Sequence, residues 1–190
     1  MLKKKHFFNR ALRILLITNG LILIANAMLG PIYALFVEKI GGDLLDASLT
    51  VAVFAIAAGL ASLVSGHYSD RIKENELIIV SGYTLIGLGY LLYMFVANIW
   101  FLFLVMAIIG IGEAIYSPAF DSLYTKHIDN HKAGLEWGAW ETMNYFIYGL
   151  GAAIGGLLVS IFGFELLFFI MMLLCFGSAL YIYLLPRKIL

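Results

Sequence analysis

The sequence predicts an all-α integral membrane protein of six transmembrane helices, and three observations carry that prediction. First, 63% of the 190 residues are hydrophobic and 13% are charged, with a mean hydropathy of +0.96, against about 25% charged in soluble domains. A fold of this size has too little interior to hide that much apolar side chain from water. Second, the apolar residues fall in six continuous stretches, each close to the about 20 residues that cross a hydrocarbon layer. Strands of a membrane barrel are about ten residues long and alternate in polarity, and these runs do not alternate. Third, Lys and Arg fall almost entirely on one side of the stretches.

The first span, Ala11–Val37, follows Lys3, Lys4 and Lys5 and opens on Arg10 and Arg13. Its basic start and Ala25-Asn26-Ala27 imitate a secretory signal and its cleavage site. The apolar run continues through Pro31 to Val37, longer than a signal core, so the span is read as retained. Leu49–Gly66 forms the second span, with Arg71 and Lys73 after it, and Leu77–Ala97 the third. The fourth, Trp100–Tyr124, is followed by Lys126 and Lys132. Gly134–Phe162 is the fifth, and Leu166–Leu185 the sixth, ahead of Arg187 and Lys188. Eleven basic residues therefore lie on one side and only Lys39 on the other. Basic loops stay cytoplasmic, which places both termini in the cytoplasm and the chain, as one six-helix domain over residues 1–190, in the cell (plasma or inner) membrane.

Displacing the chain against itself by 87 positions aligns Asn26-Ala27-Met28-Leu29-Gly30-Pro31-Ile32-Tyr33 with Glu113-Ala114-Ile115-Tyr116-Ser117-Pro118-Ala119-Phe120. Alanine, a small residue before proline, the proline and a following aromatic coincide. Three spans separate the copies, so the two repeats, about 11–97 and 100–186, would cross in opposite directions, a mark of transporter folds. Each proline removes a backbone donor and clashes one turn back, so helices one and four should bend at Pro31 and Pro118. Asn26 and Glu113 precede those bends by about one turn, near mid-membrane.

After the second span the chain reads Gly66-His67-Tyr68-Ser69-Asp70-Arg71. This Gly, three residues, Asp-Arg pattern resembles the cytoplasmic signature of the major facilitator superfamily; the family continues with Gly and two basic residues, where this chain has Lys73, Glu74 and Asn75. Gly151-Ala152-Ala153-Ile154-Gly155-Gly156 is similar to that family's antiporter element, with Ala152 in place of proline. The resemblance implies the N-terminal half of a twelve-helix transporter. A homodimer, or a second six-helix chain, would then supply the missing half, and the residues could equally be a piece of a longer chain. It also implies that Asp70 contacts the other bundle and holds one conformation; Arg71 is placed to pair with Asp121.

Glu113 is the leading candidate in the chain for chemistry. Ionisable groups in mid-membrane mark pathways and proton relays, and desolvation disfavours the charged carboxylate. Glu113, Ser117 and Asp121 share one stripe, flanked by Tyr116, Phe120 and Tyr124. Asn26, with Asn19, supplies a matching stripe on helix one or else glues helices together. On helix five, Glu141, Asn144 and Tyr148 share a face suited to a water-filled cavity, while Trp137 suits the interfacial belt. Gly151, Gly155 and Gly156 suit close helix packing, inside one protomer or between halves. Spans three and six hold no charge and read as lipid-facing supports. His127 and His131 lack a third ligand, and Cys175 reads as packing. No cofactor, metal or nucleic acid is expected: net charge is zero and no phosphate-binding Gly-Lys-Ser/Thr motif occurs. The reading is a proton-coupled, non-enzymatic secondary transporter of a small solute, in contact with membrane lipids. The alternative is a membrane scaffold or interaction protein.

Overall fold

All six apolar stretches fold as helices long and apolar enough to cross a membrane: Arg10–Lys39, Leu44–His67, Asn75–Tyr93, Ile99–His127, Ala133–Phe162 and Phe164–Leu184. The structure is a computed structural model and describes residues 9–69, 74–129, 131–186 and 189. The first span is broken. It comprises α1 (Arg10–Leu29), a 3-10 turn (Gly30–Ile32) and α2 (Tyr33–Lys39). The others are α3 (Leu44–Ser69), α4 (Asn75–Tyr93), α5 (Ile99–His127), α6 (Ala133–Phe162) and α7 (Phe164–Leu184).

Local chemistry sets the helix starts. The Asn9 side chain accepts from the Leu12 N–H at 2.8 Å, capping α1, and its Nδ2 donates to the His127 carbonyl at 2.8 Å, tying that start to the end of α5. Asn98 caps α5 by accepting from Phe101 N–H at 3.0 Å. Before α3, Asp43 and Asp46 each accept from the other's backbone N–H, at 2.9 and 3.0 Å. These bonds satisfy donors that have no partner inside the helix. Gly163 alone links α6 to α7, at φ +83°, a conformation that costs glycine little and other residues much.

The helices pack in an arc. Extensive contacts join α3 to α5, α5 to α4, α4 to α7, α7 to α1 and α1 to α6. The arc therefore begins at α3 and ends at α6, and these are the two least covered spans: 11% of each is buried, against 50% of α4. The third span, expected as a lipid-facing support, lies in the middle of the arc with half of it buried. Beyond Asn75 and Glu76 in its first turn, α4 carries only uncharged polar groups: Ser81, Thr84 and its tyrosines.

Between lipid-solvated helices, association rests on close packing and interhelical hydrogen bonds. Glycines provide the approach at three seams. A Cβ on Gly82 would lie 2.6 Å from the Tyr116 Cβ and 2.7 Å from the Gly112 carbonyl oxygen, so α4 and α5 touch backbone to backbone. A Cβ on Gly110 would strike the Phe54 carbonyl of α3. On α6, a Cβ on Gly151 would lie 2.7 Å from that of Ala27, and one on Gly155 would overlap the Met28 carbonyl of α1.

Candidate functional site

Where the first span breaks, a cavity of about 280 Å³ opens between α1, α3, α4, α5 and α6. Pro31 begins the local chain of causes. Its missing N–H and ring end the regular helix, and the 3-10 turn that follows sets Gly30 and Tyr33 into the cavity wall. Asn26 lies one turn earlier, on the same wall. Its Oδ1 accepts from the Tyr90 hydroxyl. Two turns back, Asn19 Oδ1 accepts from the Tyr83 hydroxyl at 3.3 Å. Both pairs are 64 positions apart, so α1 and α4 run in the same direction and repeat one contact every seven residues. Asn19 is 2% exposed and does not line the cavity, whereas Asn26 does.

The upper wall is pinned by Tyr33, whose hydroxyl lies 2.5 Å from Thr50 Oγ1 of α3. Tyr93 donates to the Met106 sulfur at 3.0 Å. Phe54 and Met106 line the apolar side, and Tyr148 of α6, 60% exposed, closes the edge. The result is a mostly apolar, aromatic pocket with a few placed oxygens, the composition of a small-molecule site.

Pro118 behaves differently from Pro31, because α5 continues through it unbroken. The carbonyl left without its helical donor is that of Ala114, four residues earlier. Ser65 of α3 donates its hydroxyl to this oxygen at 2.5 Å. A neighbouring helix thus restores the bond the proline removed, which is how membrane helices tolerate proline.

Glu113 is half-buried and makes no hydrogen bond or ion pair with any described residue. Glu113 follows Ile109 of the cavity wall by one turn of α5 and does not itself line the cavity. Ser117 is half-buried and Asp121 exposed, further along the same helix. Asp70 and Arg71 lie outside the described residues, and with them any pairing to Asp121. Gly66, near the end of α3, has open space where a Cβ would sit.

On α6, Glu141 is exposed, while Asn144 is half-buried with its Oδ1 enclosed and unpartnered among the described residues, as is Trp140 Nε1. Gly151 and Gly155 face α1, and Gly156 faces open space. The structure therefore brings Asn26 and Tyr148 to one cavity with Glu113 beside it. It leaves Glu141 and Asp121 outside. Sequence reasoning missed Tyr33, Tyr90 and Ser65. The equal seven-residue steps from Asn19 to Asn26 and from Tyr83 to Tyr90 were the available signal.

Six apolar helices, a proline-broken first span and a polar notch at its break define a multi-pass membrane protein. The Major Facilitator Superfamily model matches residues 15–189, and the chain belongs to that superfamily, whose members are transporters and not enzymes. It is 26% identical over 153 residues to an uncharacterized MFS-type transporter of Methanocaldococcus jannaschii, covering 80% of this chain and 39% of that protein. It is 26% identical over 159 residues to the multidrug resistance protein MdtG of Salmonella typhimurium, covering 81% of this chain and 39% of that one. In fold it matches the POT family transporter PepTSo with a TM-score of 0.73 at 18% identity, over 92% of this chain and 37% of that one. The chain thus spans 39% of the length of these curated relatives.

Proposed function

We propose that the chain is one six-helix half of a secondary transporter, completed by a second copy of itself, which moves a small amphipathic organic solute by alternating access. The observation that carries this reading is the open arc. The pocket is walled by α3 and α6, the two ends of the arc, and both present apolar side chains outward, among them Leu60 and Leu63 on α3 and Tyr145 and Phe146 on α6. A second bundle set against these ends would enclose the pocket and bury faces that a lone bundle leaves open. The aromatic lining suits an amphipathic solute, as does the kinship with a relative named for multidrug resistance.

The two three-helix repeats, about 11–97 and 100–186, gain support from the packing order. Numbered as spans, the arc reads two, four, three, six, one, five. Exchanging the triplets reverses this order without changing it, as an internal two-fold relation requires. The loop charges support cytoplasmic termini. With an even number of spans, two copies inserted alike can pair about an axis along the membrane normal.

Within this scheme Glu113 exchanges a proton, and Asn26, Ser117, Glu141, Asn144 and Tyr148 contact solute at different stages. Asp70, with Gly66 and Arg71, latches the halves in one state. The test uses proteoliposomes with an imposed pH gradient and ethidium as the probe solute. Gradient-driven ethidium movement that disappears in Glu113→Gln, with folding intact, supports the reading. Movement undiminished in the variant removes Glu113 from the mechanism, and no movement by the parent chain of this or related dyes removes the substrate class. Asp70→Asn should shift the inward/outward balance seen by accessibility labelling; an unchanged balance removes the latch.

A further inference from the structure

At the end of the bundle opposite Arg10, a second cavity of about 300 Å³ lies between the end of α2, the turn after α4 and the start of α7. Its floor is aromatic. Phe36 meets Tyr93 and Phe168 edge-on, at centroid distances of 5.5 and 4.9 Å, and Phe164 stacks on Phe168 at 5.9 Å. Its rim carries Lys39 and Glu165, of opposite charge. The two do not pair with each other: neither is in an ion pair among the described residues, and the Lys39 ammonium stands 5.6 Å from the centre of the Phe164 ring. An ammonium-bearing and a carboxylate-bearing residue thus line one cavity without forming an ion pair among the described residues.

We propose that this cavity binds the headgroup of a zwitterionic phospholipid whose cation is a primary amine, of the phosphatidylethanolamine type. The phosphate would lie against the Lys39 ammonium and the headgroup ammonium against the Glu165 carboxylate. Three physical points select this ligand. Lys39 ends the first span and Glu165 stands in the first turn of the last one, and the ends of membrane-spanning helices sit at headgroup depth. Trp100, 78% exposed near the start of α5, marks the same level, where tryptophan gathers. A primary ammonium donates hydrogen bonds to a carboxylate, whereas a choline has no N–H to donate. The aromatic floor would receive the glycerol end of the headgroup. The site adjoins the pocket at Asn26, sharing Tyr93 as a wall residue, but has its own charged rim, and the proposal does not depend on the transport reading.

The test is native mass spectrometry of the chain released from nanodiscs holding equal phosphatidylethanolamine and phosphatidylcholine with identical acyl chains. The expected result is preferential retention of the ethanolamine lipid by about fivefold, the ratio one exposed charged contact can supply. Glu165→Gln should bring the two lipids to parity, whereas Lys39→Gln should lower retention of both and leave their ratio unchanged, because both carry the phosphate. The double exchange Lys39→Glu with Glu165→Lys keeps both charges and should restore the preference. Thermal unfolding in lipid-free detergent serves as the folding control for each variant. Equal retention of the two lipids by the parent chain, an unchanged preference in Glu165→Gln, or undiminished retention of both lipids in Lys39→Gln overturns the proposal. Glycerophosphoethanolamine is the soluble arm: displacement of the lipid at comparable concentration would assign the site to free zwitterions and overturn the lipid assignment.

Discussion

Ser65 and Tyr90 act on polar groups that hydrocarbon cannot satisfy. Ser65→Ala would leave the Ala114 carbonyl with neither its helical donor, removed by Pro118, nor its substitute. An unsatisfied buried acceptor costs about 1–3 kcal/mol, and the variant should unfold at a correspondingly lower temperature in detergent. The same substitution in a Pro118→Ala background should cost far less, because residue 118 then supplies its own N–H. A double-mutant cycle by thermal unfolding checks this; equal losses in the two backgrounds would mean that the Ser65 bond does not compensate the proline. Tyr90→Phe removes the donor to Asn26. A loss of about 0.6 kcal/mol is typical of one such bond in a membrane, so a modest change in stability is expected. Its effect on solute affinity should be larger, because the Asn26 amide loses its orientation at the pocket wall; direct binding of a dye to the purified chain reads this. Residue chemistry was only partly legible beforehand. Asn26 and the two prolines announce themselves, since a polar or helix-breaking residue in an apolar run is conspicuous. Ser65 and Tyr90 do not, because a serine or tyrosine in a membrane helix is ordinary until its partner on another helix is known.

The spans themselves were legible, with some ends off by several residues: Leu49–Gly66 stands as Leu44–His67 and Leu77–Ala97 as Asn75–Tyr93. Ala11–Val37 and Gly134–Phe162 were expected where Arg10–Lys39 and Ala133–Phe162 stand, because bilayer thickness and the loop residues bound each run from both sides. The interior breaks were less so. Pro31 replaces a stretch of α-helix with a 3-10 turn, while Pro118 leaves α5 continuous. The proline alone does not decide between these outcomes: a donor from the neighbouring helix reaches one freed carbonyl, Ala114, through Ser65. Packing order was the least legible, since it depends on which glycines meet which backbones. Gly155 and Gly156 are neighbours in sequence, yet a Cβ on the first would overlap α1 and one on the second would touch nothing. Gly155→Leu should therefore wedge α6 off α1 and abolish the folded peak on size-exclusion chromatography, whereas Gly156→Leu should elute as the parent does. Equal behaviour of the two variants would contradict the α1–α6 seam.

At the scale of the whole molecule the arc is open between α3 and α6, and the pocket at Asn26 shares that opening. The two arc ends are both exposed and both apolar, so a partner bundle has somewhere to bind without displacing any helix. Leu63 on α3 and Phe146 on α6 stand 77% and 69% exposed; replacing either with arginine at this seam should prevent association while leaving each bundle folded. The measurement that tests the central claim most directly is native mass spectrometry of the 190-residue chain released from nanodiscs or mild detergent, to count subunits. The account predicts a stable dimer that Phe146→Arg reduces to a folded monomer. A monomer at every concentration would contradict the pairing of two copies.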